Sequence, residues 1–239
     1  MSRPAPTPGR RTTTHARTRR AQELPRTPDA RDTVHANVYA AMKQALMRGR
    51  YKPGQKITIR GVASALGTSA TPVREAIRRL AAEGAFEHLR SSGTARLPDL
   101  TIERLAEITE VRVALESLAA RHAARQMTEA DIADLEAIQL ELAQARDRND
   151  YGTYLAKNEA FHFGYYRCSR MPNLLRAIES MWLQSGPYLS MLLPGMRGID
   201  LHAAAIEAAR RQDAESAAAA IAEDIRRAAV RLASLLNEV

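Results

Sequence analysis

From Val34 onward, apolar positions fall at helical spacing along most of the chain. Val34, Val38, Met42 and Ala45 recur at steps of four and three, which predicts one helix whose apolar stripe ends at Gly49. Tyr51-Lys52-Pro53-Gly54 predicts a turn, because Pro-Gly fixes a bend at little conformational cost. A short helix is expected over 60–66, stopped at Gly67, and a longer one from Ser69-Ala70-Thr71-Pro72-Val73-Arg74-Glu75 to about Glu83, closed by Gly84. Pro72 suits a first turn, where its missing N–H forfeits no bond, and Ser69 or Thr71 can cap that turn. Between Ala85 and Leu97 the period changes. Residues 86–89 and 94–97 read as two short strands around the turn Arg90-Ser91-Ser92-Gly93. Three helices and a hairpin within 32–97 are the layout of a winged helix-turn-helix.

Pro98-Asp99-Leu100 reads as a linker, and Thr101 as the cap of the next helix. After it no segment alternates as a strand does. Leu105, Ile108, Val111, Leu115 and Leu118 predict one helix face, broken at Met127-Thr128-Glu129. Ile132, Leu135, Ile138 and Leu142 predict a second, ending in the polar stretch 146–150. A third spans 151–168, and a fourth passes through Leu174, Ile178 and Trp182 to Gly186-Pro187. A short fifth ends at Pro194-Gly195, followed by helices over 200–211 and 214–236, the last capped by Asp213. The alanines of 203–233 are strong helix formers, so this low complexity predicts helix rather than disorder. The expected fold is mainly α, with an N-terminal winged helix-turn-helix (32–97), a linker (98–101) and a C-terminal all-α helical bundle (102–239).

Charge adds a partner to this layout. Lys and Arg number 35 against 27 Asp and Glu, a formal net charge of +8 with a pI near 10.0, which attracts polyanions. The first 32 residues carry eight arginines against three acids. Rich in Pro and Thr and poor in large apolar residues, 1–31 is expected to be a disordered basic tail that adds nonspecific phosphate contacts. An organelle transit peptide has similar composition, but no apolar segment follows as in a secretory signal. No apolar run approaches the ~20 residues of a membrane span. The single cysteine, Cys168, cannot staple the fold, which fits a reducing compartment. A soluble, cytoplasmic protein is expected.

Four strings and the last helix pair carry a resemblance. TPVREAIRRLAAEGAFE at 71–87, preceded by GRYKPGQKIT at 49–58, resembles the DNA-binding head of the GntR family of bacterial regulators. EVRVALESLAARHAA at 110–124, NEAFH at 158–162 and a last helix pair entered at His202 resemble the FadR-type, or FCD, ligand-binding domain of the same family. The match spans roughly 34–237, in the family's domain order. It implies a ligand-responsive transcriptional regulator, most often a repressor. It also implies a homodimer that reads an inverted-repeat operator in double-stranded DNA and answers to a small organic acid.

Physical logic and the resemblance select the same DNA-reading residues. Arg74 lies in the first turn of the recognition helix, Arg78 one turn later on the same face, and Arg60 at the start of the preceding helix. Ser69 and Thr71 can donate to a phosphate at that helix N-terminus, and Gly93 at the wing tip permits close approach to a duplex. Alternatively Arg78 or Arg79 pairs with Glu75 or Glu83 on a solvated face. Many relatives carry Arg where this chain has Ala70, so the operator is expected to differ from the family's common one.

Asn158 and His162, four apart, share a helix face. The family's metal-binding members add two histidines on the last two helices; His202 matches the first, and Asp224 stands at the place of the second. Asn158, His162, His202 and Asp224 would form a mixed nitrogen and oxygen set suited to zinc, nickel or manganese, or else a hydrogen-bonded core cluster. Arg112 matches a family arginine that faces the effector cavity and could hold a carboxylate; the alternative is an ion pair with Glu110 or Glu116. Two other functions stay open at this level: a metal-dependent hydrolase-like helical domain, and a nonspecific DNA-binding protein.

Overall fold

Helices α1 (Ala30–Met47), α2 (Ile59–Ala65) and α3 (Ala70–Ala82) and strands β1 (Lys56–Thr58) and β2 (Thr94–Arg96) build the N-terminal unit. The computed structural model describes residues 30–87, 91–192 and 199–237. The expected disordered tail over 1–31 concerns residues 1–29, which lie outside the described residues; residues 30–31 already belong to α1. One core unites the head. Val38, Met42 and Leu46 of α1 meet Val73, Ile77 and Leu80 of α3, with Ile57, Ile59, Ala95 and Leu97 beneath.

The sequence pattern did not foresee the partner of β2. β2 pairs antiparallel with β1, matching Lys56 to Arg96 and Thr58 to Thr94; residues 88 and 89 of the expected hairpin lie outside the described residues. One bond links 86–87 to β2, from the Glu87 N–H to the Arg96 carbonyl at 2.8 Å. Lys56-Ile57-Thr58 is too short to show alternation, and its last residue serves as the cap of α2, accepting from the Gly61 N–H at 3.0 Å.

After the linker come α4 (Ile102–Ala124), α5 (Glu129–Asp147), α6 (Tyr151–Arg167), α7 (Pro172–Leu189), a 3₁₀ turn (Ser190–Leu192), α8 (Ile199–Arg210) and α9 (Ala214–Asn237). Short polar side chains start most of them: Thr101 caps α4, Thr128 and Asp131 form a capping box on α5, Asp150 caps α6, and the Asp213 carboxylate takes the Ser216 N–H of α9. α4 packs along α9, α5 along α6, α8 against both α5 and α9, and α7 lies between α4 and α1.

Two helices depart from the apolar pattern. α4 is rotated, so that its inner face runs through Leu105, Ile108, Arg112, Glu116 and Ala119, leaving Val111 and Leu118 exposed. A charged pair is thus buried where the pattern placed leucine and valine. α7 does not stop at Gly186-Pro187 but continues to Leu189. Pro187 deletes a single N–H near the helix end, and residues 185–189 are all buried, so packing outweighs the lost bond. The expected short helix ending at Pro194-Gly195 becomes the 3₁₀ turn, and 193–198 lie outside the described residues.

The head rests directly on α7. A Cβ placed on Gly186 would lie 2.8 Å from the Met47 Cα, and one on Gly49 (φ +60°) would lie 3.0 Å from the Gly186 carbonyl oxygen. Backbone therefore meets backbone. Around this contact Lys43 pairs with Glu179 at 2.6 Å, Arg48 with Glu159 at 2.6 Å, and Arg104 donates to Gln184 at 3.2 Å. Gly186→Ala should therefore force the seam open, at about 1–3 kcal/mol of overpacking. Thermal melts are expected to show a lower Tm for Gly186→Ala, and no loss for Gly152→Ala, whose new Cβ would meet nothing closer than 3.7 Å.

Candidate nucleic-acid interface and metal centre

The pattern Pro72, Val73, Ala76, Ile77, Leu80 buries one side of α3 and leaves the other to solvent. Arg74 and Arg78 stand on that outer side, exposed, with no hydrogen bond or ion pair among the described residues. Arg60, in the first turn of α2, is exposed and unpaired in the same sense. Arg79 differs: it pairs with Glu83 at 3.3 Å and its guanidinium lies 3.8 Å from the centre of the Tyr39 ring, whose hydroxyl donates to Glu83 at 2.8 Å. The pairing alternative thus holds for Arg79 and not for Arg78.

Ser69 is the cap residue of α3 by backbone conformation, yet its hydroxyl makes no capping bond. It is exposed, as is Thr71, so both hydroxyls and the first N–H groups of α3 face solvent together. Gly93 has φ +75° and its carbonyl accepts from the Ile59 N–H at 3.0 Å, which fixes the turn into β2 beside the start of α2. These groups form a cationic, donor-rich face around one helix end.

In the helical half, His162 of α6, His202 of α8 and Asp224 of α9 converge, their ligand atoms within 4.8 Å of one another. His162 Nε2 lies 3.4 Å and His202 Nε2 3.9 Å from Asp224 Oδ2. Two ligand atoms each ~2.0–2.2 Å from one tetrahedral ion sit roughly 3.4 Å apart, so the His162–Asp224 edge already has that length. Both histidines are buried, and neither ring nitrogen of His202 has a hydrogen-bond partner among the described residues. An imidazole with two orphaned nitrogens beside a carboxylate is under-satisfied as core but well placed as a ligand. The donor set fits a divalent ion. Asn158, the fourth member of the expected set, is buried one turn before His162 on α6.

Arg112 is buried and engaged. Its Nε donates to Glu116 Oε1 at 2.6 Å and its Nη2 to Oε2 at 3.3 Å. Glu116, with no exposed surface, also accepts from Tyr166 OH at 2.6 Å and Trp182 Nε1 at 3.1 Å. The Tyr166 oxygen in turn lies 3.0 Å from His162 Nδ1, and the Trp182 ring centre lies 5.1 Å from that of His162. One continuous network therefore runs from Arg112 to the histidine cluster. The sequence pointed to Glu116 only as an alternative partner for Arg112, and gave Tyr166 no partner. Their one visible signal was the i, i+4 spacing of Arg112 with Glu116 and of His162 with Tyr166.

Electrostatics follow the geometry. Burial pulls the His202 imidazole down to about 3. Burial alone would raise the Asp224 carboxyl, but His162, His202 and Arg112 outweigh it and hold it below the usual carboxylate range. Burial and the neighbouring Glu116 carboxylate push the Tyr166 phenol well above its ordinary value. Burial raises the Cys168 thiol to about 11, which leaves it unreactive.

Against known proteins, residues 107–227 match the FCD domain family, and 35–95 match the family described as bacterial regulatory proteins, gntR family. The HTH-type transcriptional regulator McbR of Escherichia coli (strain K12) is 32% identical over 160 residues, covering 67% of this chain and 72% of that protein. A probable D-xylose utilization operon transcriptional repressor of Paenarthrobacter nicotinovorans is 34% identical over 164 residues, covering 67% and 70%. Among solved structures, E. coli McbR/YncC superposes with a TM-score of 0.80 at 28% identity, covering 85% of this chain and 98% of that one. A transcriptional regulator from Rhodococcus sp. RHA1 shares the fold at 15% identity, with a TM-score of 0.67.

A neutral buried His202 makes stability pH-dependent in the metal-free protein. Below pH ~6.5 the unfolded chain takes up a proton that the folded state refuses until about pH 3, so stability is full above 6.5 and falls on acidification. Chelator-treated protein should lose roughly 1–2 kcal/mol between pH 7 and pH 5 in urea titrations. His202→Gln should flatten that slope; an unchanged slope would place the acid sensitivity elsewhere.

Proposed function

The chain belongs to the GntR family of bacterial regulatory proteins, in the branch that carries an FCD domain, and from that membership we propose a repressor that releases its operator when a small carboxylate binds the helical half. It is a ligand-responsive DNA-binding regulator rather than an enzyme, as its family is. The observation that carries the DNA-reading assignment is the unpaired, exposed state of Arg60, Arg74 and Arg78 around the start of α3, next to a paired Arg79.

Arg74 and Arg78 enter the major groove and offer bidentate donors to base edges; Ser69, Thr71 and Arg60 meet phosphates; Gly93 lets the wing approach the backbone. Two copies of the chain read the two halves of an inverted repeat. Val111 and Leu118 of α4 and Val230 of α9, exposed on helices that pack together, supply apolar surface for that pairing.

In the helical half, His162, His202 and Asp224, with Asn158 beside them, would hold a zinc, nickel or manganese ion. Such an ion supplies positive charge and an open coordination position for an acid. Arg112 assists with the guanidinium N–H groups that Glu116 leaves free, since Glu116 takes only Nε–H and one Nη2–H. Occupancy reaches the head through α7. Trp182 of that helix bonds Glu116 beside the site, and Gly186 of the same helix abuts α1. A ligand that binds one setting of α7 better than another shifts the placement of the head by its differential affinity.

Two measurements test this reading. With duplexes selected from a random pool, Arg74→Ala should weaken specific binding by about 1–3 kcal/mol while nonspecific binding falls little; an equal loss on every sequence would make Arg74 a phosphate contact. Metal analysis after zinc loading should find about one ion per chain, and His162→Ala should remove it; retention of the ion would return the cluster to a structural role.

A further inference from the structure

Tyr166 has one hydroxyl proton and two neighbours. Glu116 Oε2, at 2.6 Å, belongs to a carboxylate held by the Arg112 guanidinium and can only accept. The phenol proton therefore points to Glu116, and the phenol oxygen faces His162 Nδ1 at 3.0 Å as an acceptor. A neutral imidazole that carries its proton on Nδ1 has its lone pair on Nε2. Nε2 is the nitrogen that lies 3.4 Å from Asp224 Oδ2 and shares the cluster with His202.

We infer that Tyr166, anchored by Glu116, is the positioning residue that fixes the His162 tautomer, so that Nε2 presents a lone pair to the cluster and the cluster selects a cation. This rests on the metal reading above and adds to it the residues that make it selective. In the other tautomer Nε2–H would donate to Asp224, closing that edge of the cluster as an ordinary buried hydrogen bond and removing His162 as a ligand. With Nδ1 protonated, two electron-rich atoms face each other across 3.4 Å, and only a proton or a metal ion between them relieves the repulsion.

The chain builds this selection from three helices. Glu116 comes from α4, His162 and Tyr166 one turn apart from α6, and Trp182 from α7. Trp182 Nε1 donates to the same Oε2 that takes the phenol proton, and Arg112 Nη2 reaches it at 3.3 Å. Three donors on one oxygen hold that carboxylate in place, and at 2.6 Å it is the nearer acceptor for the phenol proton, with His162 Nδ1 at 3.0 Å. The phenol is buried as fully as the carboxylate, so water does not compete for either.

The decisive experiment uses the full chain and zinc as the probe. Nitrogen-15 correlation spectra of the chelator-treated protein should show His162 protonated at Nδ1; a spectrum with Nδ1 bare and the proton on Nε2 overturns the inference. Tyr166→Phe, which removes one oxygen and keeps the ring, should bind zinc 10–100-fold more weakly in chelator competition and lose the Nδ1–H signature, with an unchanged far-ultraviolet spectrum. Zinc affinity within twofold of wild type would contradict it. The metal reading fails separately: if wild type binds no zinc while Nδ1 carries the proton, Tyr166 sets the tautomer of a core histidine, and the claim of cation selection is overturned.

Discussion

Placing a carboxylate where water cannot reach it costs several kcal/mol unless its lone pairs are met by charged or polar donors. Glu116 is such a group, and its donors come from three directions: a guanidinium one turn earlier on α4, a phenol on α6 and an indole on α7. Removal of any one leaves a buried charge short of a partner, so the three helices are held in one mutual arrangement. That arrangement has a second consequence. It turns α4 so that Val111 and Leu118 face outward, and it aims the His162 ring at α8 and α9.

The helical half is thus organised by polar satisfaction at its centre, and the head by apolar packing. Val73, Ile77 and Leu80 hold α3 against α1, and the opposite side of α3 is left for arginine. The two halves meet at glycines, the residue that permits backbones to touch, and at ion pairs on either side of that contact. An interface of this kind is close-fitting at its middle and adjustable at its rim. It suits a device in which a small change on the Trp182 face of α7 alters how the head is carried.

Much of this was legible in the chain. Capping residues Thr101 and Asp213, the alanine-rich final helices, the exposed arginines of α3 and the approach of His162, His202 and Asp224 all followed from spacing and from the resemblance. Asp224 stands where the resemblance implied a histidine, yet it converges with His162 and His202. What the pattern hid has physical causes. β1 is three residues long, so period two had no room to appear. Val111 and Leu118 look like core because a helix face is normally defined by its apolar residues, and here a charged pair took the inner position. Pro187 reads as a breaker, but near the end of a helix whose last turn, 185–189, is buried one absent N–H is a small loss. Glu116 and Tyr166 could not be ranked from sequence, since their importance lies in partners 50 and 66 residues away.

The central claim is that occupancy of the helical half changes the grip of the head on DNA. Fluorescence anisotropy with one selected duplex, comparing chelator-treated protein, zinc-loaded protein and zinc-loaded protein with a panel of small carboxylic acids, measures it directly. The account predicts that at least one pair of these states differs in duplex Kd by about 5–150-fold, the span of an ordinary allosteric coupling. The same Kd in every state, for a duplex that is bound in preference to random DNA, would contradict it.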